Sequence, residues 1–244
     1  MRAIILAAGA GTRLSPLTNG CPKCLVAVGR RRLIDYQLTA LRSVGVDDLV
    51  MVVGYEAGQV RDYCGPTVRY VENPDYLTTN SIYSLYLTRH ALDADTFLFN
   101  CDILFDPEIL RRMLAGDRPN AIAVDRGATR MAGEMNVAFD VAGRVSVISK
   151  ELDPAAAQAV SMQLARFSAQ GARAVRVEVE RLVAERRRDV FPTSAYGPLI
   201  AAGTLFAVDG AGLAWGEIDS LADHERAVTE VAPRLDGPGV GPSA

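Results

Sequence analysis

The stretch LAAGAGTRLSPLTNGCPKCL (residues 6–25) follows a short apolar run at the start of the chain. Gly9 and Gly11 allow a tight turn that aims backbone N–H groups at an anion, and Arg13 adds positive charge beside them. Leu14 stands where the dinucleotide-binding fingerprint has its third glycine, and the segment lacks the Gly-Lys-Ser/Thr ending of a P-loop. The stretch predicts a different kind of phosphate-binding loop, placed directly after the first strand of a sheet.

Lysine is rare in this chain. Only Lys23 and Lys150 are lysines among the 26 Lys and Arg residues. Because arginine serves elsewhere as the generic cation, a position that keeps lysine is expected to need a compact ammonium group with three donors. Lys23 closes the glycine-rich stretch, and Lys150 ends RVSVISK (144–150), a run typical of a strand. Chance survival is the alternative, but the two placements favour phosphate chemistry.

Short apolar runs alternate with helical patterns along the first half of the chain. Ile34, Leu38 and Leu41 recur at helical spacing, for example. The runs expected to form strands buried on both faces are RAIILAA (2–8), DLVMVVG (48–54), TVRYVE (67–72), TFLFNC (96–101) and NAIAVD (120–125). This alternation predicts an α/β fold with a Rossmann-like, mostly parallel sheet flanked by helices. Ligands of such sheets bind beyond the carboxyl ends of the strands.

The second half of the chain is less regular. It predicts a β-hairpin over 136–149, a long charged helix over about 169–188, a strand near 203–208 and a helix over about 221–231.

No linker or repeat divides the chain. We therefore predict a single domain over residues 1–232. Residues 233–244 are rich in Pro and Gly and are predicted to form a disordered tail.

Composition excludes several classes of function. The net charge of −3 argues against nonspecific nucleic-acid binding, which needs a cationic surface. No apolar run approaches the roughly 20 residues of a membrane span. The four cysteines fit a reducing compartment, which favours a cytoplasmic location; Cys21 and Cys24 form a CxxC, but no second pair completes a zinc site. The oligomeric state stays open, a homodimer included.

The chain resembles a known family in GAGTRLSPLT (9–18) and PKCL (22–25). This pair looks like the signature of nucleotidyltransferases, which join a nucleoside triphosphate to a small phosphorylated compound. The resemblance continues through ENPDYLTTNSIYSLYL (72–87), FNCDILFD (99–106) and WGEIDSLADHERA (215–227). It implies a nucleotidyltransferase fold, with a nucleotide half at about 1–125 and a smaller acceptor half, built from the hairpin and helices, at about 126–232. The last segments are closer to the phosphocholine and phosphonate cytidylyltransferases than to the sugar-1-phosphate enzymes.

The same resemblance implies Mg²⁺ as cofactor. Asp102, after a strand end, and Asp219, in the late EID motif, match the positions where the family places the metal ligands. Mg²⁺ prefers one or two carboxylates together with phosphate oxygens and water. Alternatively, Asp102 only begins a loop and Asp219 caps the following helix. Glu217 is a further candidate, for the metal or for a substrate group.

The resemblance implies CTP as the nucleotide. Arg13 and Lys23 would hold its triphosphate and stabilise the leaving pyrophosphate, and Lys150 matches a family lysine that contacts the phosphoryl group of the acceptor. The predicted catalytic residues are therefore Arg13, Lys23 and Lys150. The predicted nucleotide-binding residues are Leu6, Ala8, Gly9, Gly11, Thr12, Arg13, Lys23, Glu72, Thr79 and Asn80. Thr79 and Asn80 have an alternative, structural reading as caps of the next helix.

The acceptor is expected to meet the loop DRGATRMAGEMNV (125–137). This loop has no aromatic residue for a choline cage, and it carries Arg126 and Arg130. These features favour an anionic or neutral acceptor over a cationic one. Many relatives of this branch have lysine where this chain has Asn136. The predicted acceptor residues are Lys150, Arg126, Arg130, Asn136 and Glu217.

The sequence therefore predicts a cytidylyltransferase that transfers CMP to a hydroxyalkyl- or carboxy-phosphonate and releases pyrophosphate. The alternatives are a phosphocholine cytidylyltransferase, a sugar-1-phosphate nucleotidylyltransferase and an inactive nucleotide-binding sensor.

Overall fold

A nine-stranded β-sheet lies at the centre of the structure, a computed structural model that describes residues 1–237. Two short two-stranded sheets accompany it. In chain order, the strands of all three sheets are β1 (Arg2–Ala7), β2 (Ala27–Val28), β3 (Arg31–Arg32), β4 (Asp48–Val53), β5 (Val68–Glu72), β6 (Thr96–Asn100), β7 (Ile103–Phe105), β8 (Asn120–Asp125), β9 (Asn136–Phe139), β10 (Val145–Ser149), β11 (Ala159–Phe167), β12 (Leu205–Asp209) and β13 (Trp215–Glu217). The α-helices are α1 (Leu33–Ser43), α2 (Ala57–Cys64), α3 (Ser81–Leu87), α4 (Pro107–Leu114), α5 (Ala169–Ala184), α6 (Gly197–Ala201), α7 (Leu221–Arg226) and α8 (Ala232–Asp236).

The first half of the large sheet is parallel. β1 pairs with β4 on one side and with β6 on the other, and β5 extends the sheet beyond β4. Successive side chains of β1 enter opposite apolar layers, Ile5 with residues of α1, α2 and α4, and Ile4 with residues of α3 and α5. Strands buried on both faces need continuous apolar runs. The five runs predicted as strands are accordingly confirmed, each to within one residue at either end.

Strand β11 was not predicted, although it joins the two halves of the sheet. It runs antiparallel to β6, β8 and β9, while β8 and β12 pair in parallel. A bulge interrupts its pairing with β8 and so breaks the regular alternation of side chains between the two faces. Its sequence AVSMQLARF accordingly shows neither strict alternation nor a continuous apolar run. The sheet is therefore mixed, with the predicted mostly parallel part carrying the strand ends that face the cleft described below.

The other predicted elements of the second half form with shifted ends. The hairpin consists of β9 and β10. Helix α5 ends before the predicted residue 188 because Arg186 adopts a left-handed conformation, with φ of 64°. The last predicted helix begins as α7 and continues through a π-helical turn, Ala227–Val231.

The prediction of a disordered tail from residue 233 is wrong for the residues of α8. Leu235 packs against a small apolar cluster, and the Tyr36 hydroxyl donates a hydrogen bond to Asp236 Oδ2 at 3.3 Å. The remainder of the predicted tail, 238–244, lies outside the described residues. Among residues 1–237, no helix combines the length and the apolarity that crossing a bilayer requires.

A short sheet of two strands brings distant parts of the sequence together beside the large sheet. β7 pairs antiparallel with β13, placing Ile103 opposite Glu217. The Ile218 N–H extends this ladder by donating to the Asp102 carbonyl at 2.9 Å. The ladder therefore fixes the late EID segment against the loop that follows β6.

The end of β4 packs unusually close to the loop after β1. A Cβ added at Gly54 would lie 2.6 Å from the Ala8 carbonyl oxygen, whereas one added at Gly58 in α2 would meet nothing within 4 Å. We expect Gly54→Ala to lower the free energy of unfolding by about 1–3 kcal/mol, because the backbone must shift to relieve the overlap. The matched control Gly58→Ala should be neutral or stabilising, since alanine favours a helix. Urea denaturation measures both; equal stability of the two variants would contradict this packing.

Candidate active site

A cleft with a volume of about 300 Å³ opens at the carboxyl ends of β1 and β6. Most of the predicted site residues line it. Those residues are Leu6, Ala8, Gly9, Gly11, Thr12, Arg13, Lys23, Thr79, Asn80, Asp102, Lys150, Glu217 and Asp219. The structure thus brings together residues more than 200 positions apart in the sequence, including both lysines and both predicted metal ligands.

The glycine-rich loop packs directly on the stem of Lys23. Gly11 has a φ of 61°, and a Cβ there would lie 3.1 Å from the Cβ of Lys23 and 3.2 Å from a methyl carbon of Thr18. The Thr18 hydroxyl also donates to the Gly11 carbonyl at 2.9 Å. Glycine is needed at this position both for its backbone conformation and for this close approach.

Lys23 lies between the two aspartates. Its Nζ donates to Asp102 Oδ2 at 2.9 Å and to Asp219 Oδ1 at 2.6 Å, and only 8% of the residue is exposed. Burial lowers the pKa of Lys23, but the charges and hydrogen bonds of the two aspartates outweigh burial and raise it above its usual value. Lys23 therefore stays an ammonium group at neutral pH.

Arg13 makes a weaker contact at the mouth of the cleft. Its Nη1 donates to Asp219 Oδ2 at 3.2 Å, while 79% of its side chain is exposed. Exposed ion pairs of this kind contribute little to stability. Arg13 is therefore free to reach an anion that enters the cleft.

Three carboxylates form a group that fits a divalent cation. One oxygen each from Asp102, Glu217 and Asp219 lies within 4.8 Å of the others. Asp102 Oδ1 is buried without a hydrogen-bond partner among the described residues, which is the situation expected of a ligand atom. Between the two late carboxylates, Ile218 is fully buried, so alternation along an extended chain places Glu217 and Asp219 on one side. The donor set is all oxygen, as Mg²⁺ prefers.

Glu217 is unfavourably placed as an ion. Burial and then the charges of Asp102 and Asp219 raise its pKa to about 7. A hydrogen bond from Gln163 and the charge of Lys23 act in the opposite direction. In Asp219, by contrast, Lys23 outweighs the effect of burial and lowers the pKa.

Lys150 enters the cleft from the hairpin side. It follows β10 directly, and its Nζ lies 5.1 Å from the centre of the Phe191 ring, within the range of a cation–π contact. The segment before Phe191 is attached to the start of α3, where the Asn80 N–H donates to the Arg188 carbonyl at 2.8 Å. Lys150 and Phe191 both line the cleft.

The far end of the cleft confirms part of the capping interpretation. The Asn80 side chain accepts a hydrogen bond from Ser81 N at 2.7 Å, and the Thr79 hydroxyl donates to the Asp75 carbonyl at 2.8 Å. Both residues still line the cleft, so their structural role does not exclude contact with a base.

Glu72 does not belong to the cleft. It is exposed and pairs with Arg61 at 2.7 Å. Its neighbour Asn73 is buried and lines the cleft instead, donating to Ser84 Oγ at 3.0 Å. The predicted residue, Glu72, is the last residue of β5, whereas the residue that lines the cleft is the next one, Asn73.

Three predicted acceptor residues also lie elsewhere. Arg126 is exposed, with its guanidinium 5.3 Å from the centre of the Phe139 ring, and Arg130 is exposed outside both cavities of this region. Asn136 is fully buried and braces the loop by donating to the carbonyls of Met131 at 2.9 Å and Leu152 at 3.3 Å. The loop arginines therefore provide no support for an anionic acceptor.

Sequence reasoning missed several residues of the cleft. Those residues are Asn73, Tyr76, Ser81, Ser84, Asn100, Cys101, Gln163 and Phe191. Asn73, Asn100 and Cys101 lie at or directly after strand ends, so the strand-end rule could have found them. The strand-end rule could not identify Gln163, because this residue lies within β11, which was not predicted.

A parallel sheet edge that carries a glycine loop, a buried ammonium group and a carboxylate cluster fits the nucleotidyltransferase fold. The chain belongs to the family with a MobA-like NTP transferase domain, whose family model matches residues 3–192.

Two curated proteins that are similar to this chain are named for aminoalkylphosphonates. The CMP-5′-(3-aminopropyl)phosphonate synthase of Streptomyces rubellomurinus is 32% identical over 96% of this chain and 39% of its own length. The 2-aminoethylphosphonate cytidylyltransferase of Lancefieldella rimae is 38% identical over 43% of this chain and 44% of its own length. This chain therefore spans less than two thirds of the length of either relative.

A solved structure gives the same picture over nearly the whole chain. The CTP:phosphocholine cytidylyltransferase of Streptococcus pneumoniae superimposes with a TM-score of 0.76 at 26% identity, over 93% of this chain and 97% of that chain.

The raised pKa of Glu217 predicts a pH-dependent stability in metal-free protein. Between pH 4.5 and about 7 the folded protein keeps a proton that the unfolded chain has released, so stability falls as the pH rises through this window. We expect Glu217→Gln to raise the free energy of unfolding at pH 8 by up to about 3 kcal/mol. Near pH 4 the difference from wild type should vanish. Urea denaturation in EDTA, with exposed Glu151→Gln as control, measures this; a difference independent of pH would contradict it.

Proposed function

We propose that this protein is a Mg²⁺-dependent cytidylyltransferase that transfers CMP from CTP to a small aminoalkylphosphonate and releases pyrophosphate. The proposal rests on the position of Lys23. This residue is buried against the glycine-rich loop, and its ammonium group lies between Asp102 and Asp219. This arrangement holds fixed positive charge and metal-binding carboxylates where two anions would meet.

The reaction follows from charge. A phosphonate oxygen of the acceptor attacks the α-phosphorus of CTP, a new P–O bond forms, and the bond to the pyrophosphate oxygen breaks. Because both reactants are anions, catalysis consists mainly of positioning and neutralisation. The phosphonate is already ionised at neutral pH, so no general base is required.

Each residue has a defined part in this scheme. The glycine loop and Arg13 bind the triphosphate, and Lys23 stabilises charge as pyrophosphate leaves. Lys150, from the other side of the cleft, binds the phosphonate group of the acceptor. Asp102, Asp219 and Glu217 would hold Mg²⁺, which supplies Lewis-acid neutralisation of the phosphate oxygens when bound.

CTP as the nucleotide rests on the relatives. The curated relatives described above and the superimposable structure all carry a cytidine nucleotide in their names. Within the cleft, Asn73, Thr79 and Asn80 provide amide and hydroxyl groups suited to the edge of a base.

The acceptor proposed here differs from the hydroxyalkyl- or carboxy-phosphonate predicted from the sequence. With Arg126 and Arg130 outside, the cavity next to Lys150 is lined by six carboxylates and four cationic side chains. Glu134 and Asp125 are among the carboxylates, and the Trp215 indole N–H donates to Asp125 Oδ2 at 2.8 Å. Carboxylates beside an anchored indole suit an ammonium group, and an amino group is named in both curated relatives.

A panel of substrates tests this assignment. We expect pyrophosphate release with CTP and not with ATP, GTP or UTP, and the highest kcat/KM with 2-aminoethyl- or 3-aminopropylphosphonate. Hydroxyethylphosphonate, which lacks the ammonium group, should be a poorer acceptor by at least about tenfold, or roughly 1.4 kcal/mol. A preference for phosphocholine would refute the aminoalkylphosphonate as acceptor while keeping the cytidylyltransferase activity. Activity only with UTP and a hexose 1-phosphate would refute the whole proposal.

Lys23 and Asp102 should be indispensable for turnover. We expect Lys23→Ala and Asp102→Asn to lower kcat/KM by about 100-fold or more, because each removes charge placed at the reacting phosphates. Lys23→Arg should not restore activity, since a planar guanidinium does not fit the space of a compact ammonium between two carboxylates. Pyrophosphate release and circular dichroism measure rate and folding, with exposed Arg30→Ala as control. Near-normal rates in Lys23→Ala and Asp102→Asn would refute these roles.

A further inference from the structure

Gln163 has a backbone conformation that its residue type disfavours. It lies within β11 with a φ of 57°, in the left-handed region. A non-glycine residue there costs about 1–3 kcal/mol and persists only where the surroundings impose it. The pairing of β11 with β8 shifts register between Ser161 and Ala165, so Gln163 occupies the centre of a bulge. Bulges next to active sites often redirect a side chain.

The side chain that the bulge redirects is fixed at both ends. Gln163 Oε1 accepts a hydrogen bond from Asn100 Nδ2 at 3.0 Å, and its Nε2 donates to Glu217 Oε2 at 2.5 Å. The backbone N–H of Gln163 donates to Ser161 Oγ at 3.0 Å. An ionised carboxylate, the form of Glu217 that can bind a cation, only accepts hydrogen bonds, so in that form it determines the orientation of the Gln163 amide.

These hydrogen bonds connect the two segments that carry the carboxylate cluster. Asn100 is the last residue of β6, two residues before Asp102, and Glu217 is two residues before Asp219. Gln163 also lines both the nucleotide cleft and the larger cavity beside it. It therefore lies at the junction of the two halves of the site.

The three carboxylates repel one another, and each needs a donor to hold it in place. Lys23 binds Asp102 and Asp219, whereas the Gln163 amide binds Glu217. A neutral amide orients a carboxylate without adding positive charge beside a cation site. Such outer hydrogen-bond partners set the affinity of a site for its metal.

We propose that Gln163 is a positioning residue that fixes the Glu217 carboxylate so that Asp102, Glu217 and Asp219 form a preorganised divalent-cation site. The inference rests on the proposed function, because it concerns the metal of that same site. The positioning role requires the side-chain amide of residue 163. The backbone conformation alone would not favour glutamine, since glycine adopts this φ without strain.

Substitution by glycine separates this role from a merely structural one. We expect Gln163→Gly to keep or raise the thermal unfolding temperature, because it relieves backbone strain, yet to weaken Mn²⁺ binding about tenfold or more. Gln163→Met, which keeps the side-chain length without the amide, should weaken Mn²⁺ binding similarly. Glu56→Gly is the matched control, because Glu56 also has a positive φ, 49°, and lies outside the cleft.

Titration of free Mn²⁺ by electron paramagnetic resonance, with and without CTP, measures the affinity directly. Weak binding in both Gln163 variants, with Glu56→Gly unchanged, supports the proposal. Wild-type affinity in Gln163→Gly, with binding lost in Asp102→Asn, would overturn the role of Gln163 while leaving the metal site in place. Absence of Mn²⁺ binding by the wild type in the presence of CTP would overturn the metal-dependent function itself.

Discussion

The site depends on one buried ammonium group shared by two carboxylates. Lys23 Nζ lies within hydrogen-bond distance of Asp102 and Asp219, which are 117 positions apart in the sequence. Removing one partner of such a group leaves uncompensated charge in a partly buried place, which is costly. The scarcity of lysine in the chain agrees with this geometry, because an arginine fork would not fit between two closely spaced carboxylates.

The topology of the sheet makes this meeting possible. β1 and β6 are parallel neighbours, so the loop after β1 and the loop after β6 emerge at the same edge. The antiparallel pairing of β7 with β13 then carries Glu217 and Asp219 to that edge. β11 lies against β6 on the other side and contributes Gln163. The loop after β1, the loop after β6, the β7–β13 pair and β11 thus converge on the cleft. A substitution in any of these segments can change the geometry of the cleft without contacting a substrate.

Local patterns were enough to predict the strands of the parallel half of the fold, whereas some cleft residues at the ends of those strands, such as Asn73 and Asn100, were missed. Apolar runs identified the strands, and the resemblance to nucleotidyltransferases indicated Lys23, Asp102 and Asp219. Long-range packing was not predictable in the same way. β11 carries a bulge that breaks its pattern, and Arg126 has the same local sequence whether it faces an acceptor or the Phe139 ring. The direction of a loop side chain depends on contacts that no local pattern encodes.

The central claim is that Lys23, Asp102 and Asp219 surround the place where phosphate groups and a divalent cation meet. A crystal structure grown with CTP and Mn²⁺ tests this most directly, because anomalous scattering locates manganese without reference to the protein. We predict a manganese peak coordinated by Asp102 and Asp219, with the triphosphate against the glycine loop and Lys23. Manganese bound elsewhere, or a nucleotide outside this cleft, would contradict the account.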